Sequence, residues 1–156
     1  MRRGLDTNVL VYAHIASLPG HPAVREFLRG QLQDDETTLV LTAGVLHEFV
    51  HVVTDERRFQ PSTAMKDALA FARLYLGRSN VQYLDSDERC LLRAFELLEQ
   101  HRLGRKRIAD TLFAATLLTH GVRELITCNP GDFRIFKELL VIDPRTNSGS
   151  SAAPVG

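Results

Sequence analysis

The spacing of apolar and polar residues along the chain predicts strands and helices in alternation. Short apolar runs bounded by turn residues are typical of buried strands, whereas apolar residues at helical spacing are typical of helices with one buried face. The first pattern predicts strands immediately before Asp6 and over residues 38–42, 81–84, 124–127 and 139–142. The second predicts a helix that begins directly after Asp6 and continues to about residue 15, and further helices over residues 22–32, 43–54, 62–76, 87–102 and 110–120.

Two of the predicted helices carry more detailed expectations. Ser62 is the expected N-terminal cap of the helix that ends near Leu76, and Ser86 or Asp87 is the expected cap of the next helix. That next helix is expected to bury four large apolar residues, Leu91, Leu92, Phe95 and Leu98.

Strands that alternate with helical segments imply an α/β fold with a parallel sheet covered by helices on both faces. The pattern predicts a mainly parallel sheet of four or five strands. We expect one domain over residues 1–143, because no internal repeat or domain boundary is visible. From Pro144 onward the composition is rich in Ser, Gly, Ala, Pro and Asn, which predicts a disordered tail over residues 144–156.

Composition narrows the class of protein. With 156 residues, 44% of them hydrophobic and 24% charged, the chain matches an ordinary globular domain. A formal net charge of zero argues against non-specific binding of nucleic acid by the whole surface, although a local basic rim remains compatible with it. Cys90 and Cys128 provide no disulfide framework. Together with the lack of a signal-peptide pattern or a long apolar stretch, this favours a cytoplasmic protein without membrane association.

Four acidic residues lie at junctions between predicted elements, at one expected edge of the sheet: Asp6, Glu48, Asp110 and Asp132. Each also has an ordinary structural interpretation. Asp6 and Asp110 can cap helices, Glu48 can be a solvated glutamate early in a helix, and Asp132 can be a turn residue. The helix of Glu48 places it opposite the apolar stripe, near the carboxyl end of the second strand.

Taken together, the four acids favour a metal site. Like charges gathered in a cleft raise one another's pKa, so such a group is costly unless a cation neutralises it. Hard divalent cations prefer carboxylate oxygen, and Mg²⁺ commonly combines one or two carboxylates with substrate phosphate. Bound there, one or two cations can activate water and stabilise a displacement at phosphorus.

The segments around these acids resemble the motifs of a known family, the PIN domain. The four segments, in chain order, are Leu-Asp-Thr-Asn-Val-Leu at 5–10, Thr-Ala-Gly-Val-Leu-His-Glu-Phe at 42–49, Ile-Ala-Asp-Thr-Leu-Phe-Ala-Ala-Thr at 108–116 and Thr-Cys-Asn-Pro-Gly-Asp-Phe at 127–133. The resemblance covers about residues 3–143. The ordered combination is much more specific than any one segment.

Among PIN domains, the chain is most similar to the VapC-type ribonuclease toxins of toxin–antitoxin pairs. This resemblance implies a Rossmann-like three-layer α/β/α sandwich and RNA cleavage that depends on Mg²⁺ or Mn²⁺. It also implies a homodimer and a cognate antitoxin. Asp6, Glu48 and Asp110 match the family's acidic positions. Either Asp132 or Asn129 completes the metal site, with Asp132 favoured, and the remaining polar residues of the motifs are candidates for support: Thr7, Asn8, Thr127 and Asn129.

A rival motif overlaps the second acidic segment. His47-Glu48-Phe49-Val50-His51 matches the H-E-x-x-H signature of zinc metalloproteases. A zinc enzyme needs a third protein ligand, and no matching continuation follows His51. The zinc hypothesis would also leave three of the four acids without a role. A non-catalytic interaction module of the same fold is a third hypothesis, against which the intact acids argue.

Basic residues in two predicted loops are candidates for an RNA-binding rim. They are Arg57 and Arg58 in one loop and Arg105, Lys106 and Arg107 in the other. Solvated loops are the equally simple alternative.

Overall fold

Five short strands form one parallel sheet within residues 1–146, the part of the chain that the computed structural model describes. In chain order they are β1 (Arg2–Leu5), β2 (Thr38–Thr42), β3 (Val81–Leu84), β4 (Glu124–Ile126) and β5 (Leu140–Ile142). Across the sheet the order is β3-β2-β1-β4-β5, with every neighbouring pair parallel. This confirms the predicted α/β class and the parallel sheet.

Seven α-helices, counted over the same residues, connect and cover the strands. They are α1 (Thr7–His14), α2 (His21–Gln33), α3 (Ala43–Val53), α4 (Met65–Leu76), α5 (Glu88–Gln100), α6 (Ile108–Thr119) and α7 (Pro130–Phe133). Helix α1 packs on α2 and α3, α3 packs on α4, and α5 packs on α6. A 3-10 turn, Arg105–Arg107, leads into α6. The sequence gives no prediction of helix α7, because four residues are too few to show a helical period.

The central strand β1 holds the site in place through its close contact with α6. Leu5 on β1 and Leu117 on α6 are fully buried. Gly4 lies so close to α6 that a Cβ at this position would come within 2.5 Å of Leu117 Cδ1. Asp110 in the first turn of α6 and Asp6 at the end of β1 line the same cleft.

One of the two predicted helix caps is wrong. Helix α4 begins at Met65 after Ala64, so Ser62 is not its cap. Instead, the segment that includes Ser62 contacts the end of α3, where the Thr63 amide donates to the Val53 carbonyl at 2.9 Å. Asp87 does cap α5, since its carboxylate accepts a hydrogen bond from the Cys90 amide at 3.1 Å.

The buried face of α5 also differs from the prediction. Leu91, Leu92 and Phe95 are 43%, 54% and 50% exposed, and Leu98 is only partly buried. The residues that face the core are Cys90, Ala94 and Leu97. Both sets fit a helical period, but the set with small side chains lets α5 approach α6 more closely. The large apolar residues are therefore left at the surface.

No helix among the described residues is long and apolar enough to cross a membrane.

At the C-terminal end of the described part of the chain, residues 144–146 form a turn that is bound to the domain. The Arg145 guanidinium donates to both carboxylate oxygens of Asp143 and to the Cys128 carbonyl. The rest of the predicted tail, residues 147–156, lies outside the described residues.

We expect Gly4→Ala to destabilise the protein by about 1–3 kcal/mol, because the added methyl group must displace Leu117 in a packed core. Urea unfolding would measure the change. Gly30→Ala is the matched control, since Gly30 lies in α2 with nothing within 4 Å of its position for a Cβ. The control should raise stability by about 0.5–1 kcal/mol. A Gly4→Ala protein as stable as the parent would contradict the close approach of β1 and α6.

Candidate active site

Asp6 lies where β1 ends and α1 begins, and it is only 8% exposed. Its backbone is extended, and Oδ1 accepts a hydrogen bond from the Thr7 amide at 2.8 Å, which makes Asp6 the N-cap of α1. Its Oδ2 accepts hydrogen bonds from Asn8 Nδ2 at 2.8 Å and from the Thr127 hydroxyl at 2.7 Å. Asp6 is thus both a cap and a buried carboxylate with a fixed orientation.

The same hydrogen bonds join the ends of two neighbouring strands. Thr127 directly follows β4, and its hydroxyl also accepts from the Asn129 amide at 3.0 Å. Asn8 Oδ1 accepts from the Cys128 amide at 2.9 Å. Because parallel strands end at one edge of the sheet, these polar groups form a network across β1 and β4. The structure therefore brings the predicted supporting residues Asn8, Thr127 and Asn129 to Asp6.

Glu48 reaches the same edge from α3. Its side chain is exposed, as expected for a position opposite the apolar stripe of that helix. Its Oε2 accepts a hydrogen bond from the Thr7 hydroxyl at 2.9 Å. Thr7 is itself buried, so it holds Glu48 beside the start of α1.

Asp110 lies in the first turn of α6 and is not its cap, which is Arg107. Burial raises the pKa of Asp110, and the nearby charges of Asp132 and Glu48 raise it further, whereas Arg107 lowers it. Asp132 comes from α7 and is about half exposed. The carboxylates of Asp6, Glu48, Asp110 and Asp132 thus belong to one electrostatically coupled region.

Two clefts, identified among the described residues, open on either side of these acids, with volumes of about 540 and 450 Å³. Both are lined by Asp6, Thr7, Glu48 and Asp110. The larger continues past residues of α3 and of the segment around β3, namely His47, Tyr83, Asp85 and Ser86. The smaller continues past Tyr12, Arg58, Phe59, Lys106, Asn129 and Asp132. An extended substrate that lies across the acids would therefore occupy both clefts.

The donor chemistry of the region fits a hard divalent cation, since the available groups are carboxylate, hydroxyl and amide oxygens. Burial, together with the charges of Asp110 and Glu48, raises the pKa of Asp6 to about 6 in spite of its hydrogen bonds. A cation would relieve that repulsion. Within residues 1–146, however, no three His, Cys, Asp or Glu side chains are close enough to form a ready metal-ligand group. Cation binding would therefore require the acids to draw together.

Comparison with known proteins agrees with this geometry. A profile of the PIN domain family matches residues 5–139. The chain belongs to the PIN domain family. The chain is also similar to individual proteins over most of their length. Two of these proteins are VapC ribonucleases. VapC ribonuclease Mb2897 of Mycobacterium bovis is 35% identical over 114 residues, which cover 73% of this chain and 77% of that protein. Ribonuclease VapC33 of Mycobacterium tuberculosis is 27% identical over 139 residues, 89% of this chain and 95% of that protein.

A solved structure supports the PIN fold independently. The structure of VapBC2 from Rickettsia felis, bound to a DNA fragment from its promoter, matches with a TM-score of 0.63 at 24% identity. The match covers 91% of this chain and 98% of that chain. This likeness confirms the predicted three-layer α/β/α architecture.

The basic residues predicted as a rim of this PIN domain are not equivalent. All four of Arg57, Arg58, Arg105 and Lys106 are exposed, but only Arg58 and Lys106 line the smaller cleft. Arg107 differs from the prediction, because its side chain turns inward to the acids. Its Nε lies 3.6 Å from Asp110 Oδ2 and its Nη1 lies 3.8 Å from Asp132 Oδ1. Arg107 therefore contributes to the charge balance of the site.

The histidines of the rival zinc motif both lie on the exposed face of α3. His47 lines the larger cleft beside Glu48. Within residues 1–146 no third His, Cys, Asp or Glu side chain is close enough to complete a zinc site with His47 and His51. His47 is therefore better interpreted as part of a cleft wall.

Two features near the site have no clear signal in the sequence. Arg145 covers Tyr12, with its guanidinium carbon 5.8 Å from the ring centroid, and so fixes one wall of the smaller cleft. Burial raises the pKa of the Cys128 thiol to about 12, so this cysteine next to the network is an inert core residue and not a nucleophile. A basic residue after the last strand and a cysteine within a motif are so common that neither predicts these contacts from the sequence.

The raised pKa of Asp6 predicts a specific dependence of stability on pH. Between about pH 4 and pH 6 the folded protein keeps a proton on Asp6 that the unfolded chain has lost, so stability should fall as pH rises through this window. The contribution lost is about 3 kcal/mol. Urea unfolding at a series of pH values in the presence of a chelator would measure it.

Asp6→Asn provides the comparison, because the amide does not titrate and the difference between the two pH profiles isolates Asp6. Parallel profiles for the parent and Asp6→Asn would show that Asp6 ionises normally in the folded protein.

Proposed function

We propose that this PIN domain is a divalent-metal-dependent endoribonuclease and the toxin of a type II toxin–antitoxin pair. The observation that carries the proposal is that Asp6, Glu48 and Asp110 line both clefts at the carboxyl edge of the sheet. The VapC ribonucleases among its relatives support RNA as the substrate.

Asp6, Glu48 and Asp110 would hold the cation, with Asp132 as the fourth carboxylate and Mg²⁺ or Mn²⁺ as the ion. When bound, such a cation supplies activation of water and neutralisation of charge on the scissile phosphate. The protein's own contribution is orientation. Thr127 and Asn8 fix the carboxylate of Asp6, and Thr7 fixes that of Glu48. Asp132 is favoured over Asn129 because it carries a negative charge that is coupled to Asp110.

The two clefts suggest how RNA would lie across the acids. Lys106 and Arg58 in the smaller cleft can attract phosphates, and the exposed Tyr83 in the larger cleft can stack on an unpaired base. Arg57 and Arg105 would extend the basic rim from their exposed loops. Stacking on aromatic side chains is typical of single-stranded RNA recognition.

The proposed partners are a cognate antitoxin and a second copy of the chain, both in the cytoplasm. Exposed apolar residues on α4 and α5 support association with other chains: Leu69, Phe71 and Leu74 on α4, and Leu91, Leu92 and Phe95 on α5. A toxin–antitoxin complex from Klebsiella pneumoniae contains a chain of this fold, with a TM-score of 0.59 at 18% identity.

The decisive comparison for the proposed chemistry is Asp110→Asn against His47→Ala. Asp110→Asn removes a carboxylate from the cation site and should reduce RNA cleavage by orders of magnitude. His47→Ala should leave most cleavage intact, because imidazole is not a preferred ligand of Mg²⁺. The assay is cleavage of a structured RNA with Mg²⁺ or Mn²⁺, beside metal analysis of protein purified without chelator.

The zinc hypothesis predicts the inverse pattern, because His47 and His51 would then be ligands. Stoichiometric zinc that is lost in His51→Ala, together with uncut RNA in the parent, would refute the ribonuclease proposal.

The basic wall of the smaller cleft can be tested through salt dependence. Lys106→Glu should weaken RNA binding and reduce the slope of log affinity against log salt by about 0.7 for the lost phosphate contact. Lys137→Glu is the matched control: Lys137 is exposed and adjoins Glu138, which pairs with Arg123 at the opposite, amino edge of the sheet. Equal slopes for the two variants would remove Lys106 from the RNA-binding surface.

A further inference from the structure

Arg107 has a position that its neighbours in the basic turn do not share. It is the last residue of the turn Arg105–Arg107, one helical turn before Asp110, so both side chains lie on one face of the chain. Its side chain is 24% exposed, whereas Arg105 and Lys106 are exposed residues. Asp132 approaches the same guanidinium from α7. The Arg107 guanidinium therefore lies near two of the proposed metal-binding carboxylates.

The contacts of Arg107 with those carboxylates are loose. They measure 3.6 and 3.8 Å, longer than the roughly 2.7–2.9 Å of a charge-assisted hydrogen bond. Its buried Nε has no hydrogen-bond partner among the described residues. The close contact that Arg107 makes is from Nη2 to the backbone carbonyl of Asp132.

Other arginines of the same protein show what a structural ion pair looks like. Arg3 pairs with Glu124 at 2.6 Å, and Arg145 pairs with Asp143 at 2.8 Å. A guanidinium can bind a carboxylate with two parallel hydrogen bonds, yet Arg107 binds neither Asp110 nor Asp132 in this way. Arg107 thus neutralises two carboxylates without being locked to either.

This arrangement conflicts with simultaneous binding of a cation by both acids. Oxygen ligands lie roughly 2.0–2.6 Å from Mg²⁺ or Ca²⁺, so a shared ion would have to draw the carboxylates of Asp110 and Asp132 together. A guanidinium within 4 Å of both carboxylates would compete for the same oxygens and repel the ion. The described residues also contain no ready group of three acidic ligands, as expected if an arginine contributes to their spacing.

We propose that Arg107 is an internal counter-ion, which neutralises Asp110 and Asp132 when no divalent cation is bound and must move away for the cation to bind both. This inference rests on the proposed function, because it concerns cation binding by the same acids. Arg107 is then a positioning residue that lowers cation affinity while stabilising the acidic site.

Mn²⁺ binding measured by titration calorimetry tests the proposal without relying on activity. Arg107→Gln removes the competing charge, so it should bind Mn²⁺ about tenfold more tightly than the parent. Its melting temperature in chelator should be lower, because the carboxylates then repel one another without compensation. Arg29→Gln is the matched control: it removes the same charge from an exposed pair with Glu26, also three residues apart, and should leave Mn²⁺ affinity unchanged.

Mn²⁺ affinity in Arg107→Gln that is equal to or weaker than that of the parent would overturn the inference and leave Arg107 with a structural role toward α7. A second measurement uses the unmutated protein, in case the variant does not fold. In a ¹⁵N spectrum with through-bond assignment, the buried Arg107 Nε–H should lose its protection from solvent exchange as Mg²⁺ is added. A signal that stays protected at saturation would also overturn the inference.

Asp110→Asn separates this inference from the proposed function. If Asp110→Asn abolishes Mn²⁺ binding while Arg107→Gln has no effect, the metal site stands and only the counter-ion role fails. If Asp110→Asn binds Mn²⁺ as tightly as the parent, the proposed metal site fails and the counter-ion role fails with it.

Discussion

The buried carboxylate of Asp6 is the constraint on which the site depends. A carboxylate this close to the core is costly unless hydrogen bonds or a cation compensate for lost water. Three hydrogen bonds, from Thr7, Asn8 and Thr127, supply part of that compensation and tie the ends of β1 and β4 together. Burial and neighbouring acids still raise the pKa of Asp6 to about 6, so the compensation is incomplete. The fold therefore holds the Asp6 carboxylate at a cost in stability that a bound ligand can remove. Active sites commonly lower the stability of a protein in this way for the sake of function.

Charge balance also explains why the basic residues near the site take different roles. Arg58 and Lys106 face the smaller cleft, where substrate phosphate could reach them. Arg107 is only three residues before Asp110, and the helical geometry turns it toward the acids. The basic loop thus provides Lys106 to a surface that can bind a polyanion and Arg107 as a counter-ion for the acids. Whether a basic residue of this loop faces the cleft or the acids depends on the side of helix α6 on which its position falls.

The orientation of α5 links the fold to association with other chains. Close packing of Cys90 and Ala94 against the core leaves Leu91, Leu92 and Phe95 at the surface. Burial of a large apolar side chain is worth roughly 1.5–3 kcal/mol, so an isolated chain forgoes that stabilisation at several positions. A protein that works with a partner can recover it at an interface, which agrees with the proposed antitoxin and second copy.

The sequence by itself predicted most of the strands and helices and the candidate acids of the site. Strand and helix periods are local, so the strands 38–42 and 81–84 were predicted with the bounds that the structure shows. The parallel direction of the strands follows from the alternation of elements, and the ordered motifs predicted Asp6, Glu48, Asp110 and Asp132 through resemblance to the PIN domain. Tertiary structure decided what depends on distances between segments. Which of two helical stripes on α5 is buried depends on how closely α6 can approach, and hydrophobicity alone favoured the wrong stripe. The inward turn of Arg107 depends on the position of Asp132, which lies 25 residues further along the chain. Periodicity records only neighbours along the chain, whereas burial and charge pairing are set by neighbours in space.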